Sequence, residues 1–331
     1  MIRNYLKTAW RNLLKNKTYS VINIGGLAVG IASFILIAKY VTDELSYDRW
    51  NPHAENIYRI NSDMRFGGSE LSLAASSDPL GETMVRDYPQ VEQFTRFYNS
   101  SGPKLIKLGN EFIRDNATVH ADSTLLEVFP FEIVAGDKKT PLHGRDKVLI
   151  SETAAKKYFG SLPYDQIIGK TIETNDKTKL YTVSAVMKDV PKNTHFYFDL
   201  FFTMANVNYP WGNFLSNNHT TFLKLREGTS PTLINEKFRE VIKKYALPQA
   251  QAFIQIKSME EFEQAGNKLE YTLFPLTDIH LYSNRGVELA PNGNILYVYV
   301  FTIVALFILL IACINFMNLA TARSSGRAKE V

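Results

Sequence analysis

The chain has 331 residues, of which 45% are hydrophobic and 21% charged, with a formal net charge of +4 and an isoelectric point near 8.8. The excess cations flank two apolar runs, where they meet anionic membrane lipid headgroups, so the charge balance indicates no nucleic-acid site. A single cysteine, Cys313, excludes any intramolecular disulfide framework.

In the first twenty residues, Ile2, Tyr5, Leu6, Ala9, Trp10, Leu13 and Leu14 recur at helical spacing, while Arg3, Lys7, Arg11 and Lys15 step four apart around the other side. That pattern predicts an amphipathic helix over 1–20 lying on the cytoplasmic leaflet, with Trp10 at the acyl boundary and the cations among phosphates. Plain positive-inside flanking sequence is the simpler alternative. Val21 to Val41 follows, a predominantly apolar run of 21 residues that can cross a hydrocarbon core, because about 20 residues rising about 1.5 Å each span roughly 30 Å. The run exceeds the about 7 to 15 residues of a signal-peptide core, and no A-x-A-like site precedes Asp43 and Glu44. It reads as an uncleaved anchor. Gly26 and Gly30 stand four apart with Ser33 beyond them, small residues that let a second helix approach closely.

Residues 42–294 form a 253-residue loop carrying 28 basic and 32 acidic side chains, net −4. Ile57 to Phe66, Val91 to Tyr98, Leu105 to Val119, Thr171 to Val186 and Thr221 to Leu225 are rich in β-branched and aromatic residues between turn signals, which predicts strands. Asp78-Pro79 and Ser230-Pro231 each place a capping residue before a proline, and Ser151 opens a helix that Gly160 can close. The expected helices are Pro79 to Asp87, Glu152 to Phe159 and Pro231 to Tyr245. Short helices between strands define an α+β domain without a coiled-coil stalk. The run Ile295 to Ile314 is the second span, with Tyr297 and Tyr299 as an aromatic belt at its outer boundary. Five cations precede the first span, and Arg323, Arg327 and Lys329 follow the second against Glu330 alone. Both ends are therefore expected in the cytoplasm, with 42–294 exported and 315–331 on the inner side.

Chemistry is sparse in the loop. Gly169-Lys170-Thr171 lacks the glycine five residues earlier that a phosphate-binding loop needs, because Tyr164 stands there. His53, His120, His143, His195, His219 and His280 never reach metal-ligand spacing and are expected at the surface or hydrogen-bonded. No nucleophile elbow occurs, so neither catalysis nor a cofactor nor a metal site is expected. The cluster Phe196, Tyr197, Phe198, Phe201 and Phe202 reads as core, with a ligand groove there or at Tyr209-Pro210-Trp211 as the alternative.

Several stretches together resemble a known family. Asn4-Tyr5-Leu6-Lys7-Thr8-Ala9-Trp10-Arg11-Asn12-Leu13, Asn23 to Gly30, Asp43-Glu44-Leu45-Ser46-Tyr47-Asp48, Val148 to Ala155 and Cys313 to Arg323 are similar to the FtsX-like, or MacB-like, permease subunits of ABC transporters in their Bacteroidetes branch. The resemblance implies a non-catalytic subunit of the bacterial inner membrane, working by mechanotransmission for export or efflux. ATP would be hydrolysed on a separate ABC ATPase subunit. It also implies a dimer or pseudo-dimer with a second permease half, and periplasmic adaptor or outer-membrane partners suit the family. Further spans are expected beyond Val331, so the chain reads as a fragment. Candidate coupling residues toward the ATPase are Arg327, Lys329 and Glu330. A two-span receptor with an extracytoplasmic ligand-sensing domain is the alternative, and what lies downstream of residue 331 separates the two.

Overall fold

The computed structural model describes residue 11 and residues 17–98, 104–175, 180–253 and 255–327. They divide into two compact units, one drawn from Met1–Ser46 and Gly293–Val331 and the other from Tyr47–Asn292.

In chain order, α1 (Lys17–Glu44) precedes β1 (Ile57–Phe66), β2 (Ser69–Leu73), β3 (Ser76–Ser77), α2 (Leu80–Asp87) and β4 (Val91–Tyr98). Next come the hairpin β5 (Lys104–Leu108) and β6 (Glu111–Asp115), then β7 (Thr118–Ala121), α3 (Leu125–Val128), β8 (Ile133–Gly136) and β9 (Lys147–Ser151). They are followed by α4 (Glu152–Phe159), α5 (Tyr164–Ile167), β10 (Thr171–Glu173), β11 (Leu180–Met187), β12 (Leu200–Thr203) and β13 (Asn217–Leu225). The chain continues through α6 (Pro231–Val241), a π-helical turn (Ile242–Ala246), α7 (Leu247–Gln251), α8 (Met259–Gln264), β14 (Lys268–Pro275), α9 (Ile279–Tyr282) and α10 (Ile295–Arg327).

Within the Tyr47–Asn292 unit, a mixed sheet runs in the order β10, β11, β9, β12, β7, β4, β13, β1, β14, with β2, β3 and β8 pairing onto it at the side. Both faces of this sheet are covered. On β9, Leu149 enters one core while Val148 and Ile150 enter another, and on β12 Phe201 and Phe202 divide the same way. On β13, Phe222 and Leu223 likewise part between two cores. A strand buried on both faces needs a continuous apolar run rather than alternation, which is why Val148-Leu149-Ile150 and Leu200-Phe201-Phe202 lack polar residues. Phe97 anchors one core, its ring 5.1 to 6.1 Å from those of Phe129, Phe196, Phe198, Phe201 and Phe222. Each buried Phe contributes about 1.5–3 kcal/mol, and edge-to-face geometry adds to that. The aromatic stretch 196–202 is thus core, with only Tyr197 turned to solvent.

Several local expectations shift. Leu105 to Val119 divides into the hairpin β5–β6 and the sheet strand β7, because Gly109 takes a left-handed φ of 62° at the turn. The helix from Pro231 loses its α pitch after Val241 and continues as the π turn. Ser151 caps α4 as expected, its Oγ accepting from Ala154 N at 3.1 Å, and Gly160 closes it with φ 66°. Asp78 does not cap α2, which starts at Leu80 without a side-chain cap. The Asp78 carboxylate instead accepts from Gly212 N and Asn213 N at 2.7 and 3.1 Å, holding down the loop that follows β12. Burial pushes the Asp78 carboxyl up from its ordinary range against those two bonds. Ser230 makes no cap bond either.

Candidate functional site

Two places concentrate specific contacts: the seam of the helical unit, and the ends at which the chain enters and leaves the Tyr47–Asn292 unit.

Apolar stretches of 25 residues (Ser20–Glu44, on α1) and 23 residues (Ile295–Met317, on α10) are long enough to cross a membrane. Three contacts fix how the helices meet. A Cβ on Gly26 would lie 3.4 Å from Asn315 Nδ2, and one on Gly30 would lie 2.8 Å from Ala312 Cβ. Tyr40 packs edge-on against Phe301, ring centroids 5.2 Å apart. Each step up α1 is a step down α10, so the helices are antiparallel. Buried Val298, Ala305 and Ala312 recur every seven residues on α10, and Phe301 and Asn315 stand three residues beyond the first and last of them. On α1, residues 23, 26, 30, 33, 37 and 40 follow the same three-four spacing. This three-four spacing is that of a close-packed helix seam, in which Gly30 permits the closest of the glycine approaches. Of the residues singled out for packing, Gly26 and Gly30 meet α10 directly, and Ser33 is half-buried on the same stripe. Asn23, one heptad before Gly30, has a buried Oδ1 without a partner among the described residues. Ala312, opposite Gly30, was readable in the sequence as one of two alanines, with Ala305, standing seven residues apart on the second apolar run.

Arg11 is helical and exposed, whereas Arg3, Lys7, Trp10 and Lys15 lie outside the described residues. Helix α10 runs unbroken past its apolar stretch through Arg327, the last of the described residues, and Lys329 and Glu330 lie outside them.

The second place begins at Tyr47, whose ring stacks on His280 with centroids 3.4 Å apart and planes 4° from parallel. Asp48 next to it is buried and adopts φ 60°, a left-handed conformation that Asp tolerates better than most residues. Its N–H donates to Asn193 O at 2.8 Å, and its Oδ1 sits 2.9 Å from Nδ1 of buried His195. Asn51 adds an Nδ2 bond to Val128 O at 2.9 Å. At the other end, Arg59 on β1 is fully buried and bonds Glu288 Oε2 at 2.5 Å and Oε1 at 3.2 Å, Ser283 Oγ at 2.7 Å and Asn61 Oδ1 at 2.9 Å. The Ser283 hydroxyl donates in turn to Glu288 Oε1 at 2.5 Å, closing the network. Burial lowers the Arg59 guanidinium from its ordinary value while Glu288 opposes that loss. Arg285 clamps Asp63 with bonds of 2.9 and 3.0 Å, and Gly286 exchanges backbone bonds of 2.9 Å with Ser72 and Ala74. Asn292 Nδ2 then holds Ser283 O at 3.1 Å. The entering and leaving segments therefore fasten to the same short stretch, 279–283, one through Tyr47 and the other through Glu288 and Asn292.

Sequence reasoning did not find this junction, whose members lie more than 200 residues apart. Nor did it anticipate His219, which is fully buried among Tyr98, Tyr209 and Trp211 with neither ring nitrogen bonded among the described residues. Burial lowers its pKa to about 3, and the Arg96 charge works in the same direction. Tyr209-Pro210-Trp211 roofs this histidine, so it serves packing there. No cluster of three metal-ligating side chains occurs among the described residues.

A two-helix unit joined at both ends to a mixed α+β domain defines a membrane-anchored protein with one large exported segment. Residues 20–241 match the family model of the MacB-like periplasmic core domain, and the chain belongs to that family. Its architecture is shared by a domain of a protein described as a permease from Porphyromonas gingivalis, at 23% identity and TM-score 0.56 over 75% of this chain and 98% of that one. The periplasmic region of MacB from Actinobacillus actinomycetemcomitans aligns at 14% identity and TM-score 0.45 over 68% and 91% of the two chains. The extracellular domain of the noncanonic ABC-type transporter YknZ from Gram-positive bacteria aligns at 13% and 0.41 over 66% and 100%. No curated protein matches the chain. The family is that of ABC-transporter permease components, which are generally not catalytic and work with ABC ATPase partners.

Proposed function

We propose that this chain belongs to a permease subunit that converts ATP hydrolysis on a separate ATPase subunit into movement of its periplasmic domain, for export or efflux. The observation that carries the reading is the double fastening of the domain's two ends to residues 279–283. A domain tied at entry and exit to one stretch responds to relative displacement of those ends as a unit, whereas two independent tethers would absorb the motion. The α1–α10 seam is the lever that supplies the displacement. Both termini face the cytoplasm of a bacterial inner membrane, residues 42–294 face the periplasm, and the N-terminal segment with Arg3, Lys7, Trp10, Arg11 and Lys15 rests on anionic lipid. Spans 21–41 and 295–314 connect these compartments, and 315–331 begins the coupling segment. Arg327, Lys329 and Glu330 pair with charges on the ATPase, and a second permease half completes a dimer or pseudo-dimer that engages adaptor or outer-membrane partners.

Charge reversal tests the coupling arm: in the full-length protein reconstituted with its ATPase, Arg327→Glu with Glu330→Arg should abolish most of the stimulation of ATP hydrolysis while leaving membrane insertion intact. Stimulation equal to wild type would remove these residues from the interface.

A further inference from the structure

The Tyr47–Asn292 unit carries a concave apolar cavity of about 590 Å³ that neither the seam nor the junction uses. Its floor is the π turn and the helix after it, through Ile242, Ala246 and Leu247, all buried. Its lip is formed by aromatic and aliphatic side chains left in solvent, Phe66 on β1 at 57% exposure, Leu71 on β2 at 52% and Phe253 after α7 at 82%. A π turn is a rare and costly departure from α pitch that recurs at functional sites, and here it presents Ile242 and Ala246 to the cavity. Volumes of roughly 300–1,000 Å³ with apolar walls and a few polar groups are those of small-molecule sites.

Charge selects the occupant. The domain is acidic overall, yet among the described residues no carboxylate lines this cavity, and Lys268 is the one charged side chain that does. The Lys268 ammonium pairs with Glu270 at 2.6 Å, but both side chains are about half exposed, and an exposed pair of that kind is worth only about 0–1 kcal/mol, so the ammonium, with its three N–H donors, can serve an incoming anion beside Glu270. Ser216 and the amides of Asn217 and Asn218 add neutral polar groups at the wall. Met64 and Met259 add unbranched, polarizable side chains that adapt to a flexible guest. We infer that the cavity binds a single-chain amphiphile, its chain over the π turn and its carboxylate head at Lys268. This inference stands on the domain alone and is independent of ATP coupling.

Residues 47–292 contain three buried cores and both end anchors, and a domain of this architecture has been crystallised by itself, so the segment is assayed apart from the spans and without detergent. The probe is cis-parinaric acid, a fluorescent fatty acid, titrated and then displaced by palmitate or by a cationic amphiphile of equal chain length. Saturable one-site binding is expected, displaced by palmitate at least tenfold more effectively than by the cation. Ala250→Trp, which fills the cavity from half-buried α7, should abolish it, and Lys268→Glu should weaken it about tenfold. Leu233→Trp on the exposed face of α6 controls for folding and should bind as wild type, with circular dichroism and melting temperature confirming that the Ala250 variant is folded. Absence of saturable binding in the wild type, binding unchanged in folded Ala250→Trp, or equal displacement by both amphiphiles would overturn the inference.

Discussion

Removing the Glu288 carboxylate isolates the contribution of the exit anchor. Glu288→Ala leaves the Arg59 guanidinium, whose side chain has no exposed surface, with Asn61 and Ser283 as its hydrogen-bond partners among the described residues, and leaves Ser283 Oγ without its acceptor. Breaking a buried ion pair from one side costs about 3–5 kcal/mol, because a charge stays buried without its partner. Glu288 is 14% exposed, so water can enter the vacated space and the lower end, about 3 kcal/mol, applies. Urea unfolding of residues 47–292, followed by the fluorescence of Trp50 and Trp211, measures this directly. With a slope of about 3 kcal/mol/M, the midpoint should fall by about 1 M. The double change Arg59→Met with Glu288→Leu removes both charges and should recover most of that loss, since apolar replacement of a buried pair is often neutral. A single variant within about 0.2 M of wild type, or a double variant no better than the single one, would refute the view that the buried charge holds this junction.

Two further predictions concern His219 and the seam. His219 has a folded pKa of about 3, well below an unfolded value of about 6.5, so between these values the unfolded chain binds the extra proton and stability falls as pH falls, by up to about 1.4 kcal/mol per pH unit. In His219→Phe that component should vanish, so parallel stability–pH curves for the two proteins between pH 6.5 and 4 would contradict the assignment of a neutral buried ring. In the seam, Gly30→Ala places a methyl within 2.8 Å of Ala312 Cβ and should push the helices apart. Disulfide formation between Tyr40→Cys and Phe301→Cys, in a Cys313→Ser background of the membrane-embedded chain, should drop several-fold and recover when Ala312→Gly is added. Cross-linking indifferent to both changes would displace Gly30 from the contact.

The sequence disclosed some features readily, for physical reasons. Strands β1 and β4 and helix α4 were readable to the residue because each carries its own signals: alternating or β-branched runs between turns, a Ser cap, a closing Gly. The small-residue stripe on α1 was visible as the four-residue spacing of Gly26 and Gly30, of which Gly30 is the position where a Cβ would clash, 2.8 Å from Ala312 Cβ. By contrast, Asp78 carries a capping signature that tertiary structure overrides, since its carboxylate finds two unpaired N–H groups at Gly212 and Asn213. The π turn has no one-residue signal, and the junction at 279–283 depends on Tyr47, Arg59 and Glu288 meeting across most of the chain. Buried charge and buried histidine are invisible to periodicity, because Arg59 and His219 occupy positions that pattern alone assigns to apolar side chains.

Hydrogen exchange in the full-length protein assembled with its ATPase in a lipid bilayer tests the central claim most directly. Amides of residues 47–51 and 279–288, where the domain's ends are fastened, are compared between the nucleotide-free state and the ATP-bound, hydrolysis-arrested state. Force delivered through the spans should change protection at both places together while the β9–β12 core stays fixed. Identical exchange in the two states, in a complex whose ATPase turns over, would contradict transmission through this junction.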